Sequence, residues 1–137
     1  MTQREPYQIH IKRAYEAPSR SDGRRVLVDR MWPRGVQREK LALDEWVKEA
    51  APSDDLRRWF NHDPARWAEF AARYRDELKT PPASDAVARL ARFASQGPLT
   101  LVYAASDEAH NNAVALRDVI VQHLSRHRTT RTHGRSS

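Results

Sequence analysis

Two predominantly apolar runs constrain the fold more than any other feature of this sequence. Val26, Leu27 and Val28 follow one another within residues 25 to 29, and residues 98 to 105 read PLTLVYAA. A strand with one face in solvent alternates apolar and polar residues, whereas a strand covered on both faces can be apolar throughout. The two runs therefore predict central strands of a sheet that other elements cover on both sides.

Helical patterns alternate with strands along the chain. Residues 7 to 13 alternate apolar and polar residues as a further strand, while residues 36 to 46 indicate an irregular or short helical segment. Capping residues and helical spacing predict helices over 53 to 62, 63 to 78, 84 to 97 and 112 to 124, with Ser53, Asp63 and Ser84 as caps. This order predicts an α/β fold, a single compact domain with a small, mostly parallel sheet covered by helices.

Composition narrows the classes of function. The 137 residues suit one domain, and the absence of cysteine excludes disulfides, cysteine-bound zinc, iron–sulfur clusters and a thiolate nucleophile. No stretch approaches the roughly 18 apolar residues of a membrane span, and the N-terminal residues MTQREPYQ carry no apolar signal region. We therefore expect a cytoplasmic protein that does not insert into a membrane.

The positive charge is concentrated at the C-terminus. The chain carries a net charge of +6, and residues 126 to 137 contain four arginines and no acid. Without them, 20 basic residues face 18 acidic ones, so residues 1 to 125 carry only +2. We expect a folded domain over 1 to 125 and a flexible, disordered basic tail over 126 to 137. Such a tail makes nucleic acid an alternative partner without specifying one.

Polar side chains follow both central strands. Residues 29 to 35 read DRMWPRG, and residues 103 to 112 read YAASDEAHNN. Ligands of open α/β sheets bind beyond the carboxyl ends of strands, and both segments lie there if the two strands are parallel neighbours. Arg30 and Arg34 could grip an anion in pairs of hydrogen bonds, and the start of the last helix adds backbone N–H donors. The sequence thus predicts an anion pocket.

Each candidate also has a structural interpretation, and both stay open. Asp29 and Arg30 could form an ion pair, Trp32 could belong to the core, and Asn111 or Asn112 could cap the last helix. The position of His62 at a helix end favours its charged form, whereas the position of His110 at a helix start favours the neutral form. Acid–base chemistry would use such a pair. His123, His127 and His133 have spacings reminiscent of metal ligands, but we expect no physiological metal site.

Four segments resemble the YeaO-like proteins, domain of unknown function 488. They read IKRAYE, SDGRRVLVDRMWPRG, APSDDLRRWFNHDPARWAEFAARYRDEL and GPLTLVYAASDEAHNNAVALRDVI, and the resemblance runs from about residue 9 to residue 124. It implies a compact α/β domain of a small bacterial or archaeal cytoplasmic protein. A more distant branch has a cysteine-containing segment after the last strand, where this chain has YAASDEAHNN, so thiol chemistry is not implied here. The family's signature positions are Arg13, Asp22, Gly23, Arg24, Asp29, Arg30, Trp32, Pro33, Arg34, Gly35, Trp59, Phe60, His62, Asp63, Tyr103 and Asn111.

The leading hypothesis is a pocket for an anionic or phosphorylated small molecule at the strand ends. If it is an enzyme, His62 and Asp29 are the candidates for proton transfer in hydrolysis or group transfer. The predicted ligand-binding residues are Arg13, Arg24, Arg30, Trp32, Arg34, Trp59, Tyr103, Ser106, His110 and Asn111. The alternatives are a nucleic-acid-binding protein and a non-catalytic interaction or stress protein. The sequence identifies no cofactor and no oligomeric state.

Overall fold

A computed structural model describes the backbone of residues 7 to 135 and the side chains of residues 7 to 126. The elements are β1 (Ile9–Arg13), β2 (Arg24–Leu27), α1 (Arg38–Leu41), β3 (Glu45–Trp46), α2 (Asp54–Phe60), α3 (Trp67–Glu77), α4 (Ala83–Gln96), β4 (Leu99–Tyr103) and α5 (Asn112–Arg135). Short 3-10 turns lie at Arg20–Asp22, Lys48–Ala50 and Pro64–Arg66. The predicted α/β fold is confirmed.

The sheet is parallel, with the strand order β1-β4-β2-β3. Leu101 of β4 lies between Ile11 of β1 and Val26 of β2, so the two apolar strands are the parallel neighbours that the sequence predicts. All five residues of β4 are buried. Because the strands run in the same direction, the loops that follow β2 and β4 open at the same end of the sheet.

Both faces of the central strands are covered, as the continuous apolar runs predict. Val26, Val28 and Leu101 belong to the large core cluster, which also contains residues of α2 to α5. Leu27 and Val102 point to the opposite face, where Leu41 of α1 and the side chains of two tryptophans pack. Alternate residues of one strand therefore serve two separate apolar layers.

Local signals place most of the helix ends. The Ser53 side chain accepts a hydrogen bond from the Leu56 N–H (3.1 Å), and Asp63 accepts one from the Ala65 N–H (3.0 Å). Gly97 follows the last residue of α4. The prediction of Ser84 as a cap was wrong, because α4 begins at Ala83 and the Ser84 N–H already donates to the Thr80 carbonyl oxygen.

The strand β3 was not predicted. It lies in the segment expected to be irregular or helical, which contains both α1 and this two-residue strand. Its position depends on main-chain hydrogen bonds to β2, from the Asp44 N–H to the Arg25 carbonyl oxygen (2.8 Å) and from the Val47 N–H to that of Leu27 (2.9 Å). A strand of this length has too few residues to show a period.

A buried ionic cluster closes the opposite, amino-terminal end of the sheet. Asp22 is only 6% exposed and contacts Arg25 (2.8 Å) and Lys12 (3.1 Å), while its carboxylate also accepts the Ser19 N–H (2.9 Å). The next residue, Gly23, has φ +63°, which disfavours residues with a side chain. The amino-terminal end of the sheet therefore contains buried, paired charges.

The predicted tail, residues 126 to 137, is described only in part. Helix α5 extends to Arg135, but the side chains from His127 onward lie outside the described residues, so the disordered tail stays a prediction. Among the helices that the structure describes, none has the length and apolar character needed to cross a bilayer.

Candidate functional site

A pocket of about 490 Å³ lies where the loops after β2 and β4 meet. Its position at the carboxyl ends of parallel strands is the usual place for a ligand in an open α/β sheet. Aromatic, cationic and amide side chains line it together. The lining residues are Tyr15, Asp29, Arg30, Met31, Trp32, Pro33, Arg34, Ala51, Pro52, Arg57, Phe60, His62, Phe70, Ala104, Ala105, His110, Asn111 and Asn112.

Asp29 connects the strands at the bottom of this pocket. Its carboxylate accepts the Ala104 N–H (2.9 Å), and its main-chain oxygen accepts the indole N–H of Trp46 (2.7 Å). Burial raises the pKa of Asp29, against the hydrogen bonds from Ala104 and Asn112 and the positive charges of Arg57 and His62. A carboxyl group with a raised pKa in a pocket marks a candidate functional site.

The loop after β4 is organised by Asp107. One carboxylate oxygen accepts the backbone N–H groups of Ala109 (2.9 Å) and His110 (3.0 Å), and the other lies 3.0 Å from Nδ1 of His110. These hydrogen bonds, with that to the His110 ring as the largest contribution, lower the pKa of Asp107. The His110 ring is thereby oriented through Nδ1, while the side chain lines the pocket.

The two asparagines at the start of α5 have structural partners. Asn111 is buried, its amide donates to the Asp107 carbonyl oxygen (2.9 Å), and its side-chain oxygen accepts the Val114 N–H (3.1 Å). It therefore caps α5, as the structural interpretation of the sequence proposed. The Asn112 amide donates to the Val28 carbonyl oxygen (3.0 Å) and so ties the helix to the end of β2.

The arginines of the pocket are held loosely. Arg30 makes a long hydrogen bond to the Pro52 carbonyl oxygen (3.4 Å) and a 3.7 Å ion pair with Asp54, and both side chains are largely exposed. Arg57 shares the same Asp54 at 3.3 Å. Within the described residues, the Arg34 guanidinium has no hydrogen-bond or ion-pair partner. Exposed pairs of this kind contribute little to stability.

His62 reaches the pocket through an unusual backbone turn. Asn61 and His62 follow α2 with φ values of +47° and +54°, in the left-handed region that residues with a side chain rarely adopt. Asn61 ends the helix by donating its N–H to the Arg57 carbonyl oxygen (3.1 Å). Such conformations concentrate at functional sites, because the surrounding structure must maintain them.

Aromatic side chains form the apolar walls. The Trp32 indole donates to the Val36 carbonyl oxygen (2.7 Å) and packs edge-on against Trp46 at 5.5 Å, so it is both a packing residue and a pocket wall. Phe60 and Phe70 stack at 4.3 Å on another side. Two large apolar side chains remain exposed at the rim of the pocket, Tyr15 (49%) and Met31 (65%).

The structure brings part of the predicted site together. Seven predicted residues line the pocket: Asp29, Arg30, Trp32, Arg34, His62, His110 and Asn111. Two others lie elsewhere. Arg24 begins β2 at the opposite end of the sheet, with its guanidinium 4.2 Å from the Phe93 ring centre, and Trp59 packs beneath Arg66 (5.2 Å) and Arg73 (4.6 Å).

Three more predicted residues lie near the pocket without lining it. Arg13 donates to the carbonyl oxygens of Ala104 (3.3 Å) and Ala105 (2.9 Å), so it shapes the loop after β4. Tyr103 is buried in the core, and Ser106 is exposed outside the lining. Their predicted contacts with a ligand stay predictions.

Sequence reasoning missed Arg57, Asn112, Tyr15 and Met31 as lining residues. Arg57 lies on α2 five residues before His62, a spacing at which helical side chains do not face each other, so no sequence signal placed it in the pocket. For Tyr15 and Met31 no sequence signal distinguishes a pocket rim from any other loop. Among the described residues, no three histidine, aspartate or glutamate side chains form a metal-binding group, and His127 and His133 lie outside the described side chains.

Comparison with known proteins places the chain in a family. A family model described as "Inactive DUF488-N3 subclade" matches residues 8–137. The uncharacterized protein YeaO of Escherichia coli (strain K12) is 44% identical over 110 residues, which cover 80% of this chain and 94% of YeaO. The uncharacterized protein Rv3073c of Mycobacterium tuberculosis is 38% identical over 112 residues, covering 82% of this chain and 92% of the relative. No solved structure matches. The chain therefore belongs to the DUF488 family, as the resemblance in its sequence predicted.

Proposed function

We propose that the pocket binds a small anionic molecule, a phosphate ester or a carboxylate. One observation carries this proposal: among the described lining residues, three arginines and two histidines accompany a single carboxylate, that of Asp29. Guanidinium groups pair with carboxylate and phosphate oxygens in bidentate geometry. An excess of such groups in a concave site attracts anions.

Arg30 and Arg34 are the principal anion contacts in this proposal. The Arg34 guanidinium has no ion-pair or hydrogen-bond partner among the described residues, and the contacts of Arg30 are 3.4 and 3.7 Å long. Binding an anion would not require either residue to give up a strong contact. Both lie on the loop after β2, so one anionic group can meet both.

Binding is favoured over catalysis. The description of the matching family model contains the word "inactive", and this chain lacks any cysteine for nucleophilic chemistry. Hydrolysis or group transfer with proton transfer by Asp29 and His62 stays a prediction. A substrate whose turnover disappears in His62→Ala while its binding persists would establish it.

Thermal unfolding of the full chain with added anions tests the proposal. The panel comprises phosphate, sulfate, sugar phosphates and nucleotides, and a ligand at 100 times its Kd should stabilise the protein by about 2.7 kcal/mol. Arg34→Ala should remove the stabilisation without lowering the melting temperature of the free protein, because the Arg34 guanidinium has no partner among the described residues and the main-chain oxygen that accepts the Tyr15 hydroxyl is kept.

Arg24→Ala is the matched control, since Arg24 lies at the other end of the sheet on the Phe93 ring. This variant should keep the wild-type response to ligand. The proposal is wrong if no anion stabilises the protein, or if Arg24→Ala and Arg34→Ala weaken the response equally.

A further inference from the structure

The polar groups of the pocket are sorted by depth. Arg30, Arg34, Arg57 and His62 are exposed, and we call them the mouth. The less exposed polar residues are Asp29, His110, Asn111 and Asn112, of which Asn111 is 2% exposed and His110 is paired with Asp107; we call Asp29 and the two asparagines the floor. The positive charge is therefore outside and the negative charge inside. A simple anion would meet the mouth favourably and the floor unfavourably.

Asp29 has acceptor capacity that the protein does not use. An ionised carboxylate offers about four acceptor positions. The Ala104 N–H takes one of them (2.9 Å). This protein partner donates, which favours Asp29 as an acceptor. Since Asp29 lines the pocket, its remaining acceptor positions are available to a bound molecule.

A ligand that covers Asp29 must donate a hydrogen bond to its carboxylate. A buried acceptor without a partner is unfavourable, and an anionic group placed beside the carboxylate would add repulsion. The matching group is an N–H or O–H donor. Specificity for such a group is strong in enclosed sites, because an analogue without the donor leaves the site's polar atom unpaired.

The walls between mouth and floor are apolar. Trp32 and Pro33 lie on the loop after β2, and the stacked rings of Phe60 and Phe70 contribute another surface. A planar or aromatic body fits such surroundings, since aromatic rings pack against one another in stacked or edge-on arrangements.

Resting on the proposed function, we propose that the ligand is bipolar: an anionic group held by Arg30 and Arg34 at the mouth, a planar body, and a donor group that Asp29 accepts at the floor. Asp29 then determines specificity, and the arginines supply the attraction common to all anions. The ligand class is a phosphate or carboxylate that bears an amino, amide or hydroxyl group at its far end.

Isothermal titration calorimetry with two nearly isosteric probes tests this. The probes are 4-aminophenyl phosphate and 4-methylphenyl phosphate, which differ in an amino against a methyl group. The full-length protein should bind the amino compound about tenfold tighter, the size of effect expected when one buried acceptor gains or loses its partner. Circular dichroism of each variant checks that it is folded.

Three variants separate the contribution of Asp29 to specificity from the contribution of the arginines to affinity. Asp29→Asn keeps an oxygen for the Ala104 N–H but offers its own amide as a donor, so the preference for the amino compound should disappear. Arg34→Ala should weaken both compounds by a similar factor. Arg24→Ala, at the opposite end of the sheet, should retain both affinities and the preference.

The outcomes distinguish the two proposals. Equal affinity for both probes in the wild type, lost in Arg34→Ala, would overturn the bipolar ligand and leave the anion pocket intact. A preference for the amino compound that persists in Asp29→Asn would also overturn the inference, because a group other than Asp29 would then accept the hydrogen bond from the amino group. Failure of the wild type to bind either probe would overturn the bipolar ligand, and it would overturn the proposed function as well if no anion of the thermal-unfolding panel stabilises the protein.

Discussion

Replacing Asp22 by asparagine should lower the stability of the protein substantially. Asp22 is the only acid in contact with two cations at the amino-terminal end of the sheet, among the residues that the structure describes. The Arg25 side chain is 5% exposed and that of Lys12 is 19% exposed, so neither can turn fully into water. The substitution keeps the volume of the side chain and removes its charge.

The magnitude follows from the burial of the partners. Removing one member of a buried ion pair leaves an uncompensated charge and typically costs about 3–5 kcal/mol. Asparagine keeps one oxygen for the Arg25 guanidinium, and Arg25 also donates to the Leu41 carbonyl oxygen (2.8 Å). We therefore expect a loss near the lower end, about 3 kcal/mol, equivalent to a fall of about 10 °C in melting temperature for a domain of this size.

The loss should depend on pH. Burial acts to raise the pKa of Asp22, but hydrogen bonds from Ser19, Lys12 and Arg25 outweigh it and hold the pKa below its usual value. An acid with a lowered folded-state pKa stabilises the protein above its unfolded pKa of about 4, and this stabilisation disappears as pH falls through the folded-state value. The difference between wild type and Asp22→Asn should be complete at pH 6 and shrink below pH 4.

Urea denaturation at pH 6, 4 and 3 measures this difference, with Asp76→Asn as the control. Asp76 forms a 3.2 Å pair with Lys79 in which both side chains are mostly exposed, so its loss should cost less than about 1 kcal/mol. Equal effects of the two substitutions at pH 6, or an Asp22→Asn effect that stays constant down to pH 3, would refute the reasoning.

Three further substitutions have defined outcomes. Gly23→Ala should prevent stable folding, as measured by circular dichroism. The alanine Cβ would lie 2.3 Å from the Pro98 carbonyl oxygen, and Gly23 has φ +63°, which strains any residue with a side chain. A folded variant with an unchanged melting temperature would contradict this. Asp29→Asn should raise the melting temperature at pH 8 but not at pH 3. Burial raises the pKa of Asp29, and an acid whose pKa is higher in the folded state lowers the stability of the protein as pH rises from about 4 towards that folded-state pKa. An unchanged melting temperature at pH 8 would contradict this prediction. Asn61→Val should cost about 1–2 kcal/mol in urea denaturation because φ is +47°, whereas Asn61→Gly should cost nothing, and equal effects would show that the backbone conformation does not matter.

The strength of the local signal decides how well the sequence predicts each element. The strand β4 was predictable because its five residues are buried in two layers and all but Thr100 are large apolar or aromatic residues. The helix α2 was predictable because Ser53 provides a cap that the chain actually uses. The two-residue strand β3 is defined by hydrogen bonds to β2, which a sequence pattern does not contain.

The candidate site shows the same division. The loop after β2 could be recognised because Asp29, Arg30 and Arg34 follow a buried strand, and such strand ends collect ligands. Arg24 has the same charge and lies only six residues before Arg30, yet its position at the start of the strand puts it at the other end of the sheet. The contribution of Arg57 depends on how α2 packs, which its exposed helical position does not reveal.

The hydrogen bond from the Ala104 N–H to the Asp29 carboxylate gives the protein a built-in reporter. The Ala104 amide follows β4 and pairs with a side chain of the pocket, whereas the preceding amides of β4 belong to the sheet. Its exchange with deuterium in solvent therefore requires only that the Asp29 contact open, not that the sheet come apart. In amide-resolved exchange measurements, the protection of this single hydrogen would follow events in the pocket separately from the global stability of the fold.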